Sequence, residues 1–209
     1  MISKGRTNLE AKIDFVYETF KVLIHRIEQS YENDLQDIHN VEVGIYEDST
    51  LDQYAKHSIL KQYFDERCSL SNQEKNAMEV IFCSIFSFWE KSLSEYYKMV
   101  IQKTNGKAKT YPKIKDYLEI ILVERIDICP CVLREKLDEL RNYFIHGTLT
   151  EEREKIIQNL SVDNIRVKHF EDKYFFESFE TIYQILEIVY DTLKKIASYV
   201  EQRDFSSHT

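Results

Sequence analysis

Four glycines and two prolines in 209 residues leave this chain few places to turn back on itself. Those residues end helices and build tight turns, so their scarcity predicts few, long elements, which means helices. Fourteen Tyr and twelve Phe supply bulky side chains for a core, and the length suffices for one sizeable domain to bury it. The expected fold class is all-α, an up-and-down bundle forming one domain over residues 1–209, with its core from about 7 to 203.

The opening "MISKGRTNLEAKIDFVYE" is charged and amphipathic at once and lacks the uninterrupted apolar core of a signal peptide. No run approaches the roughly 18 apolar residues of a membrane span, so no membrane partner is expected. The expected location is cytoplasmic. Cys68, Cys83, Cys129 and Cys131 are then read as free thiols rather than a disulfide framework.

Hydrophobic periodicity places the elements. Leu9, Ile13, Val16, Phe20, Leu23, Ile27 and Tyr31 recur at steps of three and four, the stripe of a long first helix. Residues 34–48, "DLQDIHNVEVGIYED", contain Gly44 and read as a loop, after which Ser49 is a candidate cap for a second, shorter helix. Ser71, with Glu74 three residues on, has the pattern of a capping box and is expected to open the longest helix. The middle of that helix, "VIFCSIFSFWEKSL", is apolar nearly all round, which predicts a central element buried on several sides.

Asn105-Gly106 and Pro112 interrupt the pattern in a basic loop spanning 103–115, which carries Lys103, Lys107, Lys109, Lys113 and Lys115. "IKDYLEIILVERI" is a further helix, and "CPCVLREKLDELRNYFIHG" begins the next, with Pro130 near its first turn. Residues 163–177 alternate Ile165 and Val167 with Tyr174 and Phe176 across a polar turn, which predicts a small β-hairpin near 165–176 as a minor insertion. A last helix runs through Ile182, Ile185, Leu186, Val189, Leu193, Ile196 and Val200.

The formal charge of −8 argues against a general affinity for nucleic acid, because phosphate binding is driven by clustered Lys and Arg. It leaves room for a local basic site, and the lysine loop is the segment that fits one. Cys129-Pro130-Cys131 has one intervening residue and no second pair at ligand spacing, so no metal is expected there.

The segment that points to chemistry is "LRNYFIHG", residues 140–147. At about 100° per residue, Leu133, Leu137, Leu140 and Phe144 fall in one sector and define the core face. Asn142 and His146 project away from it, and Arg141 stands at the edge of the stripe, where its long side chain can reach round. A histidine in a last turn followed by Gly147 is also what C-terminal capping and the helix dipole favour, with no chemistry involved. Capping does not account for the Arg-Asn pair one turn earlier.

Arg141, Asn142 and, four residues further on, His146-Gly147 lie on the penultimate long helix of an all-α chain. This pattern resembles the HEPN superfamily (higher eukaryotes and prokaryotes nucleotide-binding), whose hallmark is an Arg followed after four to six residues by His, commonly with a polar residue after the Arg. The resemblance implies a HEPN-like bundle that homodimerises, brings two Arg-His motifs to a shared cleft and cleaves RNA without a metal or other cofactor. It further implies Arg141, His146 and Asn142 as catalytic residues and Glu90, after Trp89 on the central helix, as a supporting acidic residue. A toxin–antitoxin, abortive-infection or antiviral defence setting is also implied, with an antitoxin or another defence-system protein as partner. One subgroup continues the motif to His-x-Tyr, the tyrosine being modified by a partner enzyme; here that position is Thr148.

The residues support the implied reaction. A histidine titrates near neutrality and can move a proton to or from the ribose 2′-OH or the leaving 5′-oxygen. An arginine offers a planar fork of donors to a phosphate that gains charge as its bond breaks. Residues five apart lie about 140° apart around a helix, so Arg141 and His146 of one chain converge poorly and two facing copies would complete the arrangement. The alternatives are a non-catalytic HEPN-like module that binds nucleotide, RNA or protein, and a helical scaffold.

Overall fold

α1 (Ser3–Glu47) and α2 (Gln53–Lys103) lie antiparallel, joined by a turn in which Asp48 Oδ1 accepts from the Thr50 N–H at 2.7 Å. The computed structural model describes residues 3–104, 106–107, 113–123, 125–147 and 150–202. The pairings Lys12–Glu95 near the open end and Glu42–Arg67 near the turn fix the register of the two helices. α3 (Ile114–Leu122) follows, and then α4 (Leu137–His146), which is entered through a π turn over Val132–Lys136. α5 (Glu151–Gln158), a 3-10 turn over Asn159–Asp163, β1 (Val167–Phe170), β2 (Lys173–Phe176) and α6 (Phe179–Gln202) complete the order.

α6 runs antiparallel to α1, with Tyr17 stacked on Tyr190 at 4.1 Å and Lys194 paired with Asp14 at 2.9 Å. It runs parallel to α2, where the Tyr96 hydroxyl donates to the Leu193 carbonyl at 3.3 Å. The core lies between these three helices and α3 and α4. Phe82, Ile85, Phe86, Trp89 and Leu93 of α2 are wholly buried, as the apolar run there predicts. Each such side chain removed from water contributes about 1.5–3 kcal/mol, so α2 is the central element.

Three expectations are corrected. Residues 34–48 are not a loop: α1 continues to Glu47, burying Ile38 and Ile45 against α2. Leu35, Ile38, Glu42 and Ile45 keep a three-and-four spacing, but the stripe is narrow because α2 alone covers it, and a Cβ at Gly44 would meet nothing within 4 Å, so Gly44 is no point of close packing. Ser71 does not open a helix, and Ser49 does not cap one. α2 passes through Ser71 without interruption, and its N-cap is Asp52, whose Oδ1 accepts from the Ala55 N–H at 2.8 Å. Packing along α1 overrides the local capping pattern, as tertiary context often does.

The hairpin forms where expected, with Val167 opposite Phe176 and Phe170 opposite Lys173, and a two-residue turn in which Glu171 and Asp172 take positive φ. It is more than a minor insertion. Phe176 is 1% exposed and packs on Phe82 at 5.2 Å and Phe144 at 5.3 Å, so β2 closes one wall of the core. α5 and the 3-10 turn after it are elements the periodicity did not reveal.

Candidate functional site

α4 is short, and its place is set by Leu137 and Leu140, both wholly buried, with Leu133 of the π turn beside them. Phe144 is partly buried and meets Phe82 edge-on at 5.8 Å. The core sector read from the wheel is therefore the one that packs. Arg141 leaves this seam sideways toward α2, where its Nη2 donates to Glu90 Oε2 at 3.4 Å. Its Nη1 donates to Asn142 Oδ1 at 3.2 Å, so the Arg-Asn pair and Glu90 form one cluster.

The cluster is only partly in water: the Arg141 and Glu90 side chains keep 25% and 33% of their exposure. Burial holds the Glu90 carboxyl above the usual range; Arg141 opposes that shift and Asp138 reinforces it. Asp138, one turn before Arg141, is raised by burial as well, against the pull of Arg141 and Arg153. The Cys83 thiol, facing the same guanidinium from α2, is pushed up by burial. Arg141 is thus the charge around which two half-buried acids and a thiol are arranged. Asp138 and Cys83 were not picked out from the sequence, although Asp138 is three residues before Arg141 and so shares its face.

His146 occupies the exposed last turn of α4. Gly147 follows at φ +69°, the left-handed region, and its N–H donates to the Tyr143 carbonyl at 2.7 Å, closing the helix. Arg141 and His146 are five positions apart, about 7.5 Å along the axis and about 140° around it. Among the described residues the two share no hydrogen bond, and the partner of Asn142 is Arg141 rather than the imidazole. Arg141, Asn142 and Glu90 are brought together by the fold, and His146 stands apart from them at the helix end.

The lysines lie at and beyond the C-terminal end of α2, away from the cluster. Lys103 donates to the Val200 carbonyl at 3.1 Å, thirteen residues past Glu90, or about 20 Å along the helix axis. Lys107 and Lys113 are exposed, Lys115 pairs with Glu119 at 3.7 Å, and Lys109 lies outside the described residues, as does Thr148. Because α4 runs back along α2, the His146 end points away from this loop.

Among the described residues no three His, Cys, Asp or Glu side chains gather as a metal site requires. Burial pushes the Cys129 thiol up to about 12, whereas Cys131 is exposed. Among the described residues no helix is long and apolar enough to cross a membrane. Comparison with protein-family models, with curated proteins and with solved structures gives no match.

Proposed function

We propose that this chain is a HEPN-type, metal-independent endoribonuclease working as a homodimer, in a toxin–antitoxin, abortive-infection or antiviral setting. The observation that carries the reading is the cluster at the α2–α4 seam. Arg141 is held by Glu90 and Asn142 with its Nε buried and, among the described residues, unpartnered, an arrangement that capping the helix at His146 does not require. The guanidinium is oriented before substrate arrives, which is what a group that stabilises developing charge needs.

In the proposed reaction the ribose 2′-oxygen attacks phosphorus, the bond to the 5′-oxygen breaks, and the products carry a 2′,3′-cyclic phosphate and a 5′-hydroxyl. His146, exposed and able to approach a strand, moves a proton at the attacking or leaving oxygen. Arg141 faces the phosphoryl oxygens. The His146 and Arg141 that serve one phosphate come from facing copies, since one chain sets them about 140° apart.

A second reading, a non-catalytic module or a scaffold, gains from the same ion pair: Glu90 neutralises Arg141, and a structural salt bridge needs nothing more. Cleavage of single-stranded RNA in EDTA by the purified chain separates the two. The ribonuclease reading expects 2′,3′-cyclic phosphate ends and resistance of a strand carrying 2′-deoxyribose throughout. Intact RNA, or equal cleavage of the deoxy strand, would contradict it.

A further inference from the structure

α2 and the hairpin enclose a groove of about 710 Å³ that reaches Gly147, the residue after His146. Much of its wall is aromatic. Tyr143 and Phe144 come from α4 and Phe170, Tyr174 and Phe175 from the hairpin. Most of these rings are fixed. The Tyr143 hydroxyl accepts from the Tyr174 N–H at 3.1 Å, and the Lys75 ammonium lies 4.4 Å over the Phe175 ring. Phe170 differs, standing 65% exposed beside the two-residue turn.

The α2 side of the groove is polar, with Asn72, Asn76 and Glu79 at the four-and-three spacing of one helix face. Glu79 is half-buried and makes no hydrogen bond or ion pair among the described residues. Burial holds its carboxyl above the usual range, partly offset by Lys173. A carboxylate taken half out of water without a donor is destabilised until a ligand supplies one. Lys75 and Lys173 line the groove as well, but Glu79, Glu171 and Asp172 outnumber them, so the lining carries no excess positive charge to hold a phosphate.

An exposed aromatic face beside amides and one unpaired carboxylate suits an unstacked base. Of the RNA bases, guanine alone presents two adjacent N–H donors on its Watson–Crick edge, the pair that matches the two oxygens of a carboxylate. We propose that this groove binds a guanine base, stacked on Phe170 and read by Glu79. The inference rests on the ribonuclease reading for the source of that base, a strand lying across His146; a free guanine nucleotide would offer the same chemistry.

The test titrates guanosine, adenosine, cytidine and uridine 5′-monophosphates onto the full chain by calorimetry, so that the phosphate contribution is common to all four. The guanosine nucleotide is expected to bind about tenfold tighter than the others, and Phe170→Ala to weaken it about tenfold by loss of stacking. Glu79→Gln, nearly isosteric, is expected to abolish the preference. Equal binding of all four, or a preference unchanged in Glu79→Gln, overturns the proposal. Cleavage sites beside guanines that disperse in Glu79→Gln make the strand the source, and selective nucleotide binding with cleavage indifferent to guanine makes the free nucleotide the source. RNA cleavage without selective binding sinks the groove and spares the ribonuclease reading. Selective binding without cleavage does the reverse.

Discussion

Arg141 is the residue on which the candidate site turns, and its surroundings set what a substitution there should do. The guanidinium and the Glu90 carboxylate keep 25% and 33% of their exposure, so the pair falls between a surface salt bridge and a buried one. Glu90→Gln is expected to change urea unfolding by no more than about 1 kcal/mol in either direction, well below the 3–5 kcal/mol of a fully buried pair, because the neutral amide relieves a desolvated charge while still accepting from Arg141. A loss of several kcal/mol would mean that the pair is closer to full burial. Arg141, Asn142 and His146 were legible in the sequence because they share one short helix with a recognisable spacing. Asp138, three residues before Arg141, is legible by the same helical spacing. The Arg141–Glu90 contact joins residues 51 apart, so periodicity has no means of showing it, and only the family resemblance points to an acid after Trp89.

The elements divide according to how many neighbours cover them. Where α2 is packed on several sides its apolar run is continuous and the helix was plain from the sequence; where α1 and α2 cover only each other, the stripe thins and residues 34–48 looked like a loop. The same thinning let Ser71 and Glu74 pass for a capping box in the middle of a 51-residue helix. Two substitutions separate these readings. Asp52→Ala removes a side-chain cap on the Ala55 N–H and is expected to cost about 1 kcal/mol, whereas Ser71→Ala, in a helix interior, is expected to cost nothing or to stabilise slightly. Chemical denaturation of both variants checks this, and a larger loss at Ser71 would restore the boundary there. The hairpin was legible because a period of two stands out among helices. Its part in the core was not, since Phe176 meets Phe82 and Phe144 from far along the chain.

At the scale of the whole molecule, charge and burial pull against each other. Burial holds Glu28, Glu74, Glu79, Glu90 and Asp138 above their ordinary values of 4.5 and 3.8. The folded chain therefore binds protons more tightly at these groups than the unfolded chain, and the stability they contribute is present below those values and lost as pH rises through the raised ones. Hydrogen bonds hold Asp14, Asp48, Asp127 and Glu177 below theirs, so their contribution is lost as pH falls through the lowered values. The windows do not coincide. The urea midpoint is expected to rise from pH 7 to about pH 5 and to fall again toward about pH 3; a midpoint that falls steadily below pH 7 would contradict this. Assembly has its own test. If each cleft combines Arg141 of one copy with His146 of the other, an equal mixture of inactive Arg141→Ala and His146→Ala chains should recover about a quarter of the original activity, since half the dimers hold one intact site. No recovery in freely exchanging dimers would put both residues to work within one chain. The most direct measurement is the rate at which purified His146→Ala cleaves single-stranded RNA in EDTA, beside the unsubstituted chain. The account predicts a loss of about 10²–10⁴-fold with the fold intact. An unchanged rate would mean that the exposed histidine beside Gly147 only ends a helix.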